Sequence, residues 1–513
     1  MKVRIGVERF DPSKDESPYV QWFELDVEPR STLLDALMQI ESADPTISIP
    51  YSCRRGVCGS CAVLVNDVAL PACSVTMSTV IECLGKEIVV KPLPLFPRLK
   101  DLVVDRSRAL RVMDITRYWI HRLEPYIPPE RVSKEDADRV SSYRKCSLCF
   151  SCVASCPVAS VDKRFGGPVA LRAIAERSAD PRDALDRVPM AVASGLYNCL
   201  VCDTCSAVCP QEIDVGSAVV ELRSRAWKAG LAPSKIRDAL DGILDEEYGN
   251  PLWLPRADRN AWIEYLKPSS KAKVLLFAGC MASYVDRESA VALGKILEAC
   301  GIRYTVLGSD ELCCGMPLYL AGALEEARDV ARRNTEIFRK LGVETVVTPC
   351  PSCYRMFKSL YPKLGVELEN VEVVHAVQLV AELINKGVLR IDKRVDTAVT
   401  YHDPCDLGRH EGVFEEPRAV IEACAREFIE MRRRKMYAQC CGAGGNVRIS
   451  NPELSIRIGV DRVRRDLPPG VTAIVHACPT CKVQLSEACQ RVGIEVRNIS
   501  IQELVLQCIR RSF

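Results

Sequence analysis

Two runs of cysteine near the middle of the chain limit what it can fold into more than any other feature. The first is Cys146, Cys149, Cys152 and Cys156, followed by Pro157. The second is Cys199, Cys202, Cys205 and Cys209, followed by Pro210. Both read C-x2-C-x2-C-x3-C-P, a spacing suited to a [4Fe–4S] cubane. Three thiolates on one tight turn hold one face of a cube. The fourth, displaced to the start of a helix, is better placed to reach a second cube. The expected ligand sets are therefore crossed: Cys146, Cys149 and Cys152 with Cys209, and Cys199, Cys202 and Cys205 with Cys156. The alternative is a pair of four-cysteine zinc sites, which has no use for the fourth cysteine and its proline at this offset.

A chain of 513 residues is too long for a single core, and three or four domains are expected. A net charge of +2 argues against nucleic acid as a partner. The 27 cysteines fall in tight clusters, unlike the scattered cysteines of a small secreted scaffold, which implies a reducing, cytoplasmic compartment. The first residues open directly into a strand pattern, with no signal peptide. No apolar run approaches the roughly 20 residues needed to span a bilayer. No direct membrane insertion is expected, and any membrane contact would come through a partner.

Residues 1–95 read as a small β-rich domain, with paired strands over 2–10 and 19–27 and a short helix over 32–40. Cys53, Cys58, Cys61 and Cys73 then follow the spacing C-x4-C-x2-C…C of a plant-type [2Fe–2S] site. Gly56 and Gly59 suit a loop that wraps an inorganic cluster closely. A zinc ribbon would normally show two C-x2-C pairs instead. Residues 96–235 should be mostly helical, with helical patterns over 169–177 and 181–187, and 236–270 read as a connector.

Residues 271–395 and 396–513 form an internal duplication. The first copy carries Cys280, Cys313, Cys314, Cys350 and Cys353, and the second Cys405, Cys440, Cys441, Cys478 and Cys481; corresponding cysteines lie 125 to 128 residues apart. Strand patterns over 273–277, 345–349, 397–402 and 473–476 alternate with helical stretches, which indicates an α/β unit used twice. The cysteines follow strand ends, where α/β folds present their sites. Adjacent cysteines cannot easily cap one cube edge, so each CC pair suggests a distorted or shared-ligand cluster. One conventional cubane per copy with a spare thiol is the alternative. Cys83, Cys300, Cys424, Cys489 and Cys508 are left over and are expected to be buried free thiols. The stretch Gly442-Ala443-Gly444-Gly445 has the look of a phosphate loop but lacks the G-x-G-x-x-G frame.

The stretches SCRRGVCGSCAVLVN, PAC and LPLFPRLKDLVVD resemble the iron–sulfur subunit of succinate dehydrogenases and fumarate reductases, over about residues 1–230. One departure matters. That family usually lacks the cysteine found here as Cys202 and holds a [3Fe–4S] cluster there, next to its quinone. With Cys202 present, a second [4Fe–4S] cubane is expected, and quinone chemistry is in doubt. The second half resembles the catalytic subunit of heterodisulfide reductases, whose copies of this motif (CCG domains) each imply a noncubane [4Fe–4S] cluster on five cysteines. The resemblances together imply a multidomain α+β chain: a β-grasp [2Fe–2S] ferredoxin domain, an α-helical dicluster ferredoxin domain, then a duplicated α/β CCG domain. The fusion as a whole resembles the iron–sulfur subunit of archaeal thiol-driven fumarate reductases. That implies oxidation of coenzyme M and coenzyme B to their heterodisulfide, with electrons passed to the separate flavoprotein subunit of such enzymes. FAD would sit in that partner alone, which would reduce fumarate to succinate. A succinate dehydrogenase subunit serving a quinone-linked partner, and a pure electron-transfer module, are the alternatives. Both thiols carry anionic groups, so Arg355, Arg409 and Lys482, each close in sequence to a cysteine ligand, are the expected substrate contacts. His402, beside Cys405, is a candidate proton donor or a simple strand cap.

Overall fold

The computed structural model describes residues 1–94, 96–123, 127–128 and 130–509, without the side chains of 108–110. Leu95 of the LPLFPRLKDLVVD motif and the last four residues of the second copy lie outside the described residues. The chain divides into two compact units. The first comprises Met1–Leu196 and Asp203–Leu222, and the second Tyr197–Cys202 and Arg223–Phe513.

The first unit opens with β1 (Lys2–Arg9) and β2 (Tyr19–Asp26), paired antiparallel as their alternating patterns require. β3 (Ala62–Val65), β4 (Val68–Pro71) and β5 (Glu87–Lys91) complete a mixed sheet of order β2-β1-β5-β3-β4. The helix Leu33–Ala43 starts on a capping box in which Thr32 and Asp35 satisfy each other's backbone N–H groups, and it buries Leu33, Leu34, Leu37 and Ile40. A small ribbon of β6 (Arg98–Lys100) and β7 (Val103–Val104) follows. Beyond it the unit is helical, with Gly167–Ala179 almost wholly buried.

The helix expected over 181–187 is absent; the next helix is Val188–Ala193. The reason is Arg187. Its buried guanidinium donates to the carbonyls of Thr116, Arg117 and Trp119 and grips Asp183 with two bonds of 2.7 and 2.9 Å. Those partners hold the segment as an irregular loop. The 236–270 connector is also revised: the helix Ser234–Leu244 runs into it, burying Ile236, Ala239, Leu240 and Ile243 on one side.

The second unit contains two parallel sheets. β8 (Val274–Leu276), β9 (Tyr304–Thr305), β10 (Thr345–Thr348) and β11 (Glu372–His375) form the order β11-β10-β8-β9. β12 (Val395–His402), β13 (Ala425–Phe428), β14 (Ala473–His476) and β15 (Arg497–Ser500) form β13-β12-β14-β15. Each sheet therefore has its two cysteine-bearing strands side by side at its centre, and the repeat seen in the cysteines is also a repeat of architecture. One core joins the copies, with Ile296, Tyr354, Val377 and Val380 packed among Val399, Tyr401, Val420 and Leu504. Of the leftover cysteines, Cys424, Cys489 and Cys508 are buried, whereas Cys83 and Cys300 are half-buried.

Removing a buried cation while leaving its acid in place costs about 3–5 kcal/mol. Arg187→Met is therefore expected to destabilise the chain by that amount, read as a lower midpoint in chemical denaturation. A midpoint equal to wild type would show that Arg187 does not organise this loop.

Candidate metal centres

In the first unit, Cys53, Cys58, Cys61 and Cys73 converge on one loop. Backbone N–H groups of Arg55 and Cys58 donate to Cys53 Sγ at 3.4 and 3.3 Å, and Gly56 N–H donates to Cys73 Sγ at 3.1 Å. Cys73 N–H donates to Cys61 Sγ at 3.4 Å. Such donors stabilise thiolate sulfur. Arg54, Gly56 and Gly59 take positive φ to turn these groups inward. Burial opposes ionisation of Cys58, but donors from Ser60 and Cys53 bring its thiol down to about 6, while burial pushes Cys61 up to about 12.

The two central cysteine runs share a backbone signature. Leu148 and Phe150 in the first have φ of 51° and 64°, and Val201 and Asp203 at the same places in the second have 51° and 52°. Four side-chain-bearing residues in the left-handed region, one of them β-branched, are strained. Each run then enters a one-turn helix, Ser151–Ala154 or Thr204–Ala207. The repeated strain fits loops shaped to curl around a cube. Cys152 lies within electrostatic range of Cys146, Cys149, Cys156 and Cys209, and burial together with their charge pushes it far up. The first crossed set thus lies within one unit. Of the second set, Cys199 and Cys202 belong to the second unit and Cys156 and Cys205 to the first.

The [2Fe–2S] loop and the first run meet at Gly59, where a Cβ would lie 2.7 Å from Cys149 Cα. Arg106 straps them together, donating to Gly59 O at 2.7 Å and to Leu148 O. Its charge faces Cys149, Cys58 and Cys61.

In the second unit, β8 and β10 are adjacent parallel strands, as are β12 and β14. Their neighbours β9 and β11, or β13 and β15, lie on opposite sides, so each pair marks the point where strand order reverses. Ligand sites of open α/β sheets form there, beyond the strands' C-terminal ends. Cys280 and the Cys350–Cys353 loop follow β8 and β10; Cys405 and the Cys478–Cys481 loop follow β12 and β14. Cys313, Cys314, Cys440 and Cys441 complete the two sets, all buried.

Both sets have the same internal chemistry. Cys314 is held far below the ordinary thiol range by donors from Cys313 and Cys353, and Cys441 likewise by Cys440 and Cys481, with Cys481 Sγ 3.4 Å from Cys441 Sγ. Burial and the charge on Cys314 and Cys350 push Cys280 up to about 12. Gly279, with φ of 74°, is required in the first set because a Cβ would lie 2.9 Å from Cys353 Sγ. Several thiols crowded into a buried space are a donor set for iron. Cys440 also meets the Cys202 thiol, and the two sets approach each other where Cys350 acts electrostatically on Cys478.

The three cations expected to contact substrate each have partners within the chain. Arg355 Nη1 pairs with Asp406 at 2.8 Å, while Ser352 donates to the same carboxylate. Lys482 Nζ lies 2.6 Å from both Asp286 and Glu503. These two ion pairs are reciprocal: each copy sends a cation from the helix after its C-x2-C to an acid just past the other copy's first cysteine. Arg409 donates to the carbonyls of Cys202, Met436 and Ala438, tying the second cysteine run to the approach to Cys440. Their charges serve internal contacts. His402 ends β12 with no exposed surface, its ring beside Cys441 and Cys481. The glycine stretch is explained by close packing: a Cβ at Gly445 would lie 2.3 Å from Cys199 O.

Buried arginines escaped the sequence reading because they come from distant segments. Arg172 faces Cys146 and bonds Tyr118, Tyr143 and Glu176. Arg223 donates to Cys199 O at 2.6 Å and to the Leu320 and Gly445 carbonyls. Arg259 faces Cys280 and Cys313 and pairs with Glu311, whose carboxylate takes the N–H groups of Ala278 and Gly279 just before Cys280.

A mixed-sheet cysteine loop, a strained double cysteine run and two duplicated switch-point sites define an iron–sulfur oxidoreductase subunit. The chain matches the 2Fe-2S iron-sulfur cluster binding domain over residues 4–111, the 4Fe-4S dicluster domain over 142–213, and the cysteine-rich domain over 274–358 and again over 399–486. It is 30% identical over 507 residues to the B component of fumarate reductase (CoM/CoB) from Methanothermobacter marburgensis, covering 98% of each chain. It is 34% identical over 320 residues to the D component of dihydromethanophenazine:CoB--CoM heterodisulfide reductase from Methanosarcina barkeri, covering 61% of this chain and 78% of that one. A hypothetical protein from Helicobacter pylori of known structure shares the fold, with 13% identity and a TM-score of 0.60 over 100% of this chain and 95% of that one. The chain belongs to the family of the fumarate reductase (CoM/CoB) B component. Among the described residues, no helix is long and apolar enough to cross a membrane.

A cation beside cluster thiolates favours the reduced, more negative state. Arg106→Gln is therefore expected to lower the potentials of the [2Fe–2S] centre and the first cubane together, in an EPR-monitored titration at unchanged iron content. Arg172→Gln should lower the cubane alone. Unchanged potentials in Arg106→Gln would remove its electrostatic role.

Proposed function

We propose that the chain is the iron–sulfur subunit of a fumarate reductase that takes its electrons from coenzyme M and coenzyme B. In this reading the two thiols become the heterodisulfide, and a separate FAD-bearing flavoprotein reduces fumarate to succinate. Cys53, Cys58, Cys61 and Cys73 hold one [2Fe–2S] cluster. Two cubanes are held by the crossed sets of the central runs, with Cys202 as a full ligand. The five cysteines of each CCG copy hold a noncubane [4Fe–4S] cluster. The clusters, when bound, supply one-electron transfer and a metal to which thiol sulfur attaches.

The observation that carries the reading is the meeting of the two CCG sets. A disulfide has two sulfurs, and a reaction that joins two thiols is served by two sites side by side. The reciprocal pairs Arg355–Asp406 and Lys482–Asp286 clamp the two C-x2-C helices, and Cys350 acts on Cys478 across the junction. The chain's own residues orient the two sets and exclude water, since Cys350, Cys353, Cys478 and Cys481 are all buried. The same relation supports the choice of thiols: the two relatives named above belong to a CoM/CoB fumarate reductase and a CoB–CoM heterodisulfide reductase.

The test is fumarate reduction by the chain purified anaerobically with its flavoprotein. Coenzyme M plus coenzyme B should support the reaction and a reduced quinone analogue should not; the reverse result would contradict the reading. In the same complex, Cys58→Ser should abolish fumarate reduction and leave thiol-dependent dye reduction largely intact.

A further inference from the structure

The two CCG copies are alike in fold and in thiol chemistry, but one position sets them apart. Three residues before its first cysteine, the second copy has His402 and the first has Phe277. Both are fully buried at the ends of matching central strands. Phe277 stands in an aromatic cluster, edge-on to Phe338 and Phe357 at 6.2 and 4.8 Å. Its ring offers no hydrogen-bond donor. His402 instead lies in a group with Cys441 and Cys481 whose ligand atoms fall within 4.8 Å of one another. Neither of its ring nitrogens has a hydrogen-bond partner. A buried imidazole left without such a partner is costly unless sulfur takes its N–H. The sulfurs within reach belong to Cys441 and Cys481, and Cys441 is the one in the CC pair; its Sγ and the His402 ring lie in one group of ligand atoms within 4.8 Å of one another.

The polar surroundings extend further in the second copy. Two residues before Cys478, His476 stands with its ring 6.0 Å from that of His402 and its Nε2 2.8 Å from Asn498 Oδ1. The first copy has Thr348 there, whose hydroxyl accepts from Cys350 N–H. Arg462, buried in the second copy, also acts electrostatically on His402.

We propose that His402 donates a ring N–H to the Cys441 sulfur and thereby makes the cluster of the second CCG copy easier to reduce than that of the first. This rests on the reading that both copies carry clusters. Hydrogen bonds to cluster sulfur favour the reduced state, and their number is one of the protein's levers on potential. His402 is thus a positioning and tuning residue, and Cys405, Cys440, Cys441, Cys478 and Cys481 remain the ligands. The choice of copy is consistent with the route out of the site. Cys440 of the second set meets the Cys202 thiol, and Arg409 binds Cys202 O at 2.7 Å, so the favoured acceptor is the set that touches the second cysteine run.

The experiment uses the full chain, reconstituted anaerobically and titrated with EPR detection, with iron and sulfide measured on each sample. In His402→Phe, one CCG signal should titrate at a lower potential at unchanged iron content. His402→Gln, which keeps an N–H donor, should restore most of the shift. Phe277→His should raise the potential of the other signal. Chain labelled with 15N-histidine should show weak nitrogen coupling to the second cluster, lost in His402→Phe. Unchanged potentials in His402→Phe, or no nitrogen coupling in wild type, would overturn the proposal. Strong coupling, the mark of direct ligation, would overturn it too. If His402→Phe fails to hold iron, His402→Gln and the labelled wild type still decide. Wild-type chain with [2Fe–2S] and cubane signals but no cluster in the CCG copies would overturn the underlying reading as well.

Discussion

Each cysteine set crowds several thiols together, most fully buried in the duplicated half, and negative charge on sulfur in such a space is costly unless something answers it. Iron answers most of it. The protein supplies the rest with backbone N–H groups and buried arginines: Arg106 between the first two centres, Arg172 at Cys146, Arg223 at Cys199 and Arg259 at Cys280 and Cys313. These arginines are anchored by carbonyls and, in places, by carboxylates such as Glu176 and Glu311. A fixed guanidinium both stabilises the set and biases the energy at which it accepts an electron. Structural and functional requirements therefore fall on the same side chains.

The duplicated half shows how topology makes a site. Each sheet has two adjacent central strands whose continuing chains turn away from each other, and that opening is where the cysteines are set. Using the unit twice gives two openings, and the shared core around Tyr354, Val377, Tyr401 and Val420 brings them together. The crossed ion pairs then fix the junction. Duplication has not kept the copies equal, because the position at the end of one central strand is a core phenylalanine in the first copy and a buried imidazole beside two cysteines in the second.

Spacing made the cysteine-rich domains legible, because their cysteines come in short chain segments that repeat in recognisable form. Strands were legible for the same local reason, from β1 and β2 to the central strands of the duplicated half. Nearness in sequence does not announce tertiary partners. Arg355 and Lys482 lie near cysteines, but Asp406, Asp286 and Glu503, which arrive from elsewhere in the chain, claim their charge. The 181–187 segment has a helical pattern, yet Arg187 satisfies distant carbonyls and holds it as a loop. Gly442–Gly445 serves close backbone packing against Cys199 and Leu200, a need that no local pattern announces.

The central claim is that electrons pass within this one chain between a disulfide-forming site in the duplicated half and the [2Fe–2S] centre at the other end. It is tested most directly on the chain alone, without flavoprotein. The protein is reduced with dithionite, freed of excess reductant, mixed with the heterodisulfide of coenzyme M and coenzyme B, and frozen for EPR. The account expects the signal of the reduced [2Fe–2S] centre to disappear as the disulfide takes up two electrons and two protons to give both thiols. A [2Fe–2S] signal that persists while every cluster is intact would contradict it.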